Sequence, residues 1–217
     1  MNPHISLRSR RGLLPALLGL TAIAASLLTS PIQASQLVPQ NLKQMIQASD
    51  LIVSGEVSQL TDGIAHGVPF TEVTLKVRSS LKQELAENSS YSFRQYGLLK
   101  TRKMSDGRYL LASKIEGMAS WTVGEKVTAF LNKPALRTGL VTPVGLAQGK
   151  FTSSGSQLAN SFNNRDLFKG MTVDPSVLNA REAAMLAKHG GAVEGGVLTN
   201  FVKRAVNEQW IAKGVMR

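Results

Sequence analysis

The chain has 217 residues, 43% of them hydrophobic and 18% charged, an ordinary balance for a globular protein able to bury a core. Its formal charge of +11 favours anionic partners. The lack of cysteine excludes disulfides, a thiol nucleophile, a thiolate-held metal and the acylated cysteine of a bacterial lipoprotein.

Arg8, Arg10 and Arg11 precede an uncharged apolar run from Leu13 to Leu28, and Ser30-Pro31-Ile32-Gln33-Ala34 follows. This basic, apolar, small-residue order predicts a secretory signal peptide over residues 1–34, cut between Ala34 and Ser35. The run is shorter than the ~20 residues that span a bilayer, and Arg10-Arg11 leaves both the general secretory and the twin-arginine routes open. Removing three arginines leaves 22 basic and 14 acidic side chains, a charge of +8. An exported chain without disulfides suits a bacterial periplasm or exterior, where nucleic acid is not the expected partner.

Leu42, Met45 and Ile46 lie at helical spacing behind Asn41, a suitable cap, so a short helix is predicted before Ser49. Leu51 to Gln59 reads as a first strand, with Gly55 marking a bulge, a bend or a close backbone approach. Thr61 to Pro69 reads as a loop from its Gly, Asp and Pro content. Phe70 to Val77 alternates strictly, and Tyr91 to Tyr96 alternates aromatic with polar residues, giving two further strands. From Gly97 to Ala119 the pattern loosens and basic residues outnumber acidic ones. Ser105-Asp106-Gly107 there predicts a hairpin or an excursion. Lys126 to Leu131 is a fourth strand, and Leu140 to Ala147 a fifth, which Pro143 limits to an edge or a bulge. Short strands with turns at Ser153-Ser154-Gly155 and Asn163-Asn164 complete a domain over residues 35–170.

Asp174-Pro175 opens a helical appendage, residues 171–217, with a flexible Gly-rich linker at residues 190–196. Leu198, Phe201, Val202 and Ala205 share one face of its last helix, which can pack on the domain, on a partner or on a membrane surface.

The fold class predicted is mainly β with flanking helices (α+β). Evenly spaced short strands, one bent by a glycine, point to a small oligonucleotide/oligosaccharide-binding (OB)-type β-barrel with C-terminal helices. The segments Ser49-Asp50-Leu51-Ile52-Val53-Ser54-Gly55-Glu56-Val57, Thr71 to Val77 closed by Leu81-Lys82, Val123-Gly124-Glu125 leading to Leu131, and Val144 to Phe151 resemble a group of poorly characterised exported bacterial proteins. More distantly they are similar to the netrin-like barrel of the tissue inhibitors of metalloproteinases. The resemblance covers about Leu37 to Phe168 and implies a barrel that binds proteins through its loops. Zinc chelation in that family needs an amino-terminal cysteine, which this chain lacks, so the inhibitory mechanism does not carry over.

Tyr96, Lys100, Arg102, Lys103, Arg108 and Tyr109 form the candidate binding surface, since cations interleaved with aromatics are what a polyanion or sugar would use. His66 and His189 are the histidines past residue 34, and a helix end accounts for His189. Asp50, Glu56, Glu72, Glu116 and Glu125 are scattered, and no phosphate loop, dinucleotide fingerprint or nucleophile elbow occurs. No catalytic residue, metal or cofactor is therefore expected. The reading is a non-enzymatic binding or accessory module for an exported protein or an anionic polymer. An inhibitor of an exported protease and, more remotely, a hydrolase using His66 are the alternatives.

Overall fold

The computed structural model describes residues 38–112 and 115–217. The apolar run and the Ala34–Ser35 junction lie outside them. Helix α1 (Leu42–Ala48) begins at Asn41, whose side chain accepts from the Gln44 N–H at 3.0 Å while the Gln44 amide oxygen accepts from the Asn41 N–H at 2.9 Å. This capping box satisfies donors that a helix start leaves orphaned. Leu42, Met45 and Ile46 are buried, as their spacing predicts. At the other end the Lys82 ammonium donates to the carbonyls of Ile46, at 2.8 Å, and Ser49, a cation placed at the negative pole of the helix. Burial pulls the Lys82 pKa below its usual value, against an opposing effect of Asp50.

Strands β1 (Leu51–Ala65) and β2 (Val68–Lys82) make one long antiparallel hairpin. Thr61 to Pro69, expected as a loop, is thus mostly strand. The turn needs only His66 and Gly67, which take positive φ of 50° and 76°, the two-residue geometry that matches strand twist. The neighbouring Gly63 is a packing glycine, since a Cβ there would lie 2.8 Å from the Phe70 ring. Gly55 has the same kind of cause. A Cβ on it would lie 2.5 Å from the Lys76 carbonyl oxygen, and the β1–β2 register shifts beside it, between Ser54 and Gly55.

Strand β3 (Ser90–Tyr96) pairs with β2, and a separate two-stranded ribbon follows, β4 (Arg102–Lys103) with β5 (Tyr109–Leu110). Strand β6 (Lys126–Leu131) returns to β1, then β7 (Lys150–Ser154), β8 (Gln157–Asn160) and β9 (Val193–Glu194) add on, giving the order β3-β2-β1-β6-β7-β8-β9. This is a large antiparallel sheet whose ladders do not close on themselves. The stretch Leu140 to Ala147, expected as a strand, is reduced to one bridge between Pro143 and Leu131. Pro143 has no N–H to donate, and Gly145 and Leu146 then turn through positive φ into a short 3-10 helix, Leu146–Gly149. Val141 still donates its N–H to the Arg94 carbonyl of β3, at 2.7 Å.

The sheet separates two cores. Leu51, Val53, Val57, Val73, Leu75, Phe93, Trp121 and Val141 fill one side. Ile52, Phe130 and Phe151 open the other, which α1, α2 (Ala180–Leu186), α3 (Gly195–Asn207) and Trp210 cover. Residues 171–217 therefore share a core with the sheet. The stretch from Gly190 to Gly196, expected as a flexible linker, contains β9, which pairs with β8, and the start of α3. Leu198, Phe201, Val202 and Ala205 all lie in that core, which leaves this face of α3 unavailable to a membrane surface. Among the described residues no helix is long and apolar enough to cross a membrane.

Candidate functional site

The expected excursion exists, and a carboxylate 40 residues upstream holds it. Gly97, at φ 121°, turns the chain out of β3, and its carbonyl accepts from the Thr71 hydroxyl at 3.1 Å. Asp62 then receives the backbone N–H groups of Leu99 at 2.8 Å and Lys100 at 3.1 Å on one oxygen. The Arg102 guanidinium donates to the other oxygen and, at 2.8 Å, to the Asp62 carbonyl. The Asp62 side chain is only 8% exposed. Burial alone would raise its pKa, but the Arg102 and backbone donors outweigh that and hold it below the usual carboxylate value.

Beyond this anchor, β4 and β5 form the hairpin that Ser105-Asp106-Gly107 predicted. Met104 N–H donates to the Arg108 carbonyl at 2.7 Å, and Asp106 accepts from the Arg108 backbone at 3.0 Å and guanidinium at 2.7 Å. The chain returns at Ala119, whose carbonyl accepts from the buried Gln95 amide at 2.8 Å. Gln95 in turn accepts the Trp121 indole N–H at 3.1 Å. Behind it the Lys150 ammonium, 2.6 Å from Glu125, lies over the Trp121 ring.

The six candidate residues consequently divide. Arg102 and Arg108 are occupied by Asp62 and Asp106. Lys100 and Lys103 have no carboxylate partner among the described residues. Tyr109 is 63% exposed, and Tyr96, opposite Phe70 at the end of β3, is also exposed. Sequence reasoning missed the apolar part of the same surface: Leu111, 66% exposed, together with Leu99 and Ile115. It also missed Asp62. A loose alternation along the excursion is the one signal that Leu99 and Leu111 lack a core to enter, whereas the Asp62 contact has no local signature.

The other titratable candidates are not brought together. His66 sits exposed at the β1–β2 turn and His189 exposed after α2, while Glu72 pairs with Arg94 at 2.7 Å and Glu125 with Lys150. Among the described residues no cluster of three or more His, Cys, Asp or Glu side chains could hold a metal ion. Comparison with protein-family models, curated proteins and solved structures returns no match.

The depressed pKa of Asp62 makes its contribution pH-dependent in one direction. A carboxylate whose folded pKa lies below its unfolded value stabilises at pH above the unfolded value, near 4, and that stabilisation is lost as pH falls through the folded one. Amide hydrogen exchange at Leu99 and Lys100 should be slow at neutral pH and speed up below about pH 4 relative to the β1–β2 ladder. Asp62→Ala should release the excursion at neutral pH, seen as faster tryptic cleavage at Lys100, Arg102 and Lys103. Unchanged cleavage would remove Asp62 as the anchor.

Proposed function

We propose that this chain is an exported, non-enzymatic binding module that captures a protein partner through the Gly97 to Ala119 excursion. The observation that carries this reading is the exposure of Tyr109, Leu111 and Leu99 beside Lys100 and Lys103, which have no carboxylate partner among the described residues, on a hairpin held by a buried carboxylate. An anionic polymer would use charge along the whole excursion, but two of its four named cations are neutralised within the chain. Exposed large apolar side chains with a cationic rim fit a partner surface that offers an apolar pocket edged by acids. Export rests on the order of charges and apolar residues before Ala34.

The scaffold is read as an OB-type barrel. Val141 meets Arg94 of β3 while Pro143 bridges Leu131 of β6, so β1, β2, β3, this segment and β6 follow one another around Val53, Leu75 and Phe93. The test is capture of partners from the exported fraction by the purified protein and by a Tyr109→Ser, Leu111→Ser, Lys103→Ser variant. The reading expects a partner lost from the variant while circular dichroism is unchanged. Equal capture by both would exclude this surface.

A further inference from the structure

A second surface, sharing no residue with the excursion, lies on the outer face of the sheet where α3 stops covering it. It is a groove of about 730 Å³, within the size range of small-molecule sites. Cross-strand register builds its floor. Ser54 of β1 is paired with Ser79 of β2 and Thr128 of β6, which sets three hydroxyls in one row, and Glu56 lies between Lys76 and Lys126 in the next. Ser54 and Thr128 are 8% and 3% exposed, and their hydroxyls bond each other at 2.8 Å. Only one proton is used in that bond, so the pair holds a second O–H, in a nearly buried position lining the groove, with no acceptor among the described residues.

The N-terminus of the 13-residue α3 forms the wall. Its capping position, Glu194, makes no side-chain cap, Gly195 N–H is taken by the Ser156 carbonyl at 2.7 Å, and Gly196 N–H has no acceptor among the described residues. A Cβ on Gly196 would meet nothing within 4 Å, so this position is open to the groove. Among the described residues Lys76, Arg78 and Lys126 line the groove without an ion-pair partner, and so do Glu56 and Glu87, while Glu194 reaches Arg181 at 3.8 Å. With Glu194 paired to Arg181, three cations face two carboxylates, a net charge of +1 that disfavours a dianionic phosphate and suits a single negative charge. Among the described residues the lining has no aromatic side chain and few apolar ones, which suits a hydroxyl-rich ligand over an apolar one.

We propose that this groove binds a hydroxylated carboxylate of the sugar-acid class, with its carboxylate received by the Gly196 N–H and the spare proton of the Ser54–Thr128 pair. Its hydroxyl groups then meet Ser79 and the Lys76–Glu56–Lys126 row. The test is titration of the ¹⁵N-labelled protein with galacturonate, a monoanionic sugar acid, in parallel with glucose and inorganic phosphate. Saturable shifts of the Gly196, Val197 and Thr128 amides are expected with galacturonate, at least tenfold weaker with phosphate and absent with glucose. Gly196→Glu, which puts a carboxylate at the helix start where acids are favoured, should fold and lose binding. Removing both hydroxyls together, Ser54→Ala with Thr128→Val, leaves no orphan and should weaken binding at least tenfold. Absence of saturable shifts, equal response to glucose or phosphate, or full binding by folded Gly196→Glu would overturn the proposal.

Discussion

Phe201→Ala is expected to destabilise the chain by about 3–5 kcal/mol, the range for removing a fully buried phenylalanine. Phe201 is completely buried in α3, with its ring 5.4 Å from that of Trp210 in an edge-on arrangement. The core it enters contains Ile52, Phe130 and Phe151, which belong to the sheet. Its loss therefore removes packing from the sheet as well as from the helix. The two tryptophans allow a direct check, since Trp210 lies in the helical core and Trp121 in the opposite one. In urea, the fluorescence and circular-dichroism transitions should coincide within each of the Trp121→Phe and Trp210→Phe backgrounds, and Phe201→Ala should move the midpoint in both. A shift confined to the Trp210 signal would mean that residues 171–217 unfold on their own.

Gly55→Ala is the second large effect, about 2–3 kcal/mol, within the range of forced overpacking. The added methyl would lie 2.5 Å from a backbone carbonyl oxygen, that of Lys76, and no rotamer change relieves such a contact. The strands must part where β1 is paired on both sides, with β2 and with β6. Gly196→Ala is the control, because its Cβ meets nothing and its helical position gains from the lost chain freedom. It should be neutral or stabilising by up to about 1 kcal/mol. Equal midpoints for the two variants would refute the close-approach account of Gly55.

What could be read beforehand was whatever depends on neighbours in sequence. The α1 cap at Asn41, the alternation of Phe70 to Val77 and the hairpin turn at Ser105-Asp106-Gly107 all rest on periods and side chains within a few residues. Thr61 to Pro69 failed because its Gly and Pro content imitates a loop, while Gly63 is there for the Phe70 ring and only His66-Gly67 turns. Leu140 to Ala147 failed in the opposite way, since its apolar residues lie beside Pro143 and a left-handed Gly145-Leu146 turn that prevent a ladder. Glycines at 190–196 read as a linker, yet Val193 pairs with Leu158. The candidate surface was half legible. Its cations and tyrosines stand out in composition, but their occupancy depends on Asp62, and no local pattern announces a contact across 40 residues.

The hydroxyl row under the second groove was likewise out of reach, because Ser79, Ser54 and Thr128 become neighbours only through the β1–β2 and β1–β6 registers. Single serines in strands carry no signal until the register is known.

The claim that the excursion is the working surface is tested most directly by placing a photo-crosslinking amino acid at Tyr109 and, separately, at Phe162, an exposed aromatic in the Asn160–Asn164 turn outside the excursion. Irradiation of cells exporting each form should give a discrete protein adduct from position 109 and none from position 162. Adducts of the same size from both positions, or none from position 109, would contradict the account.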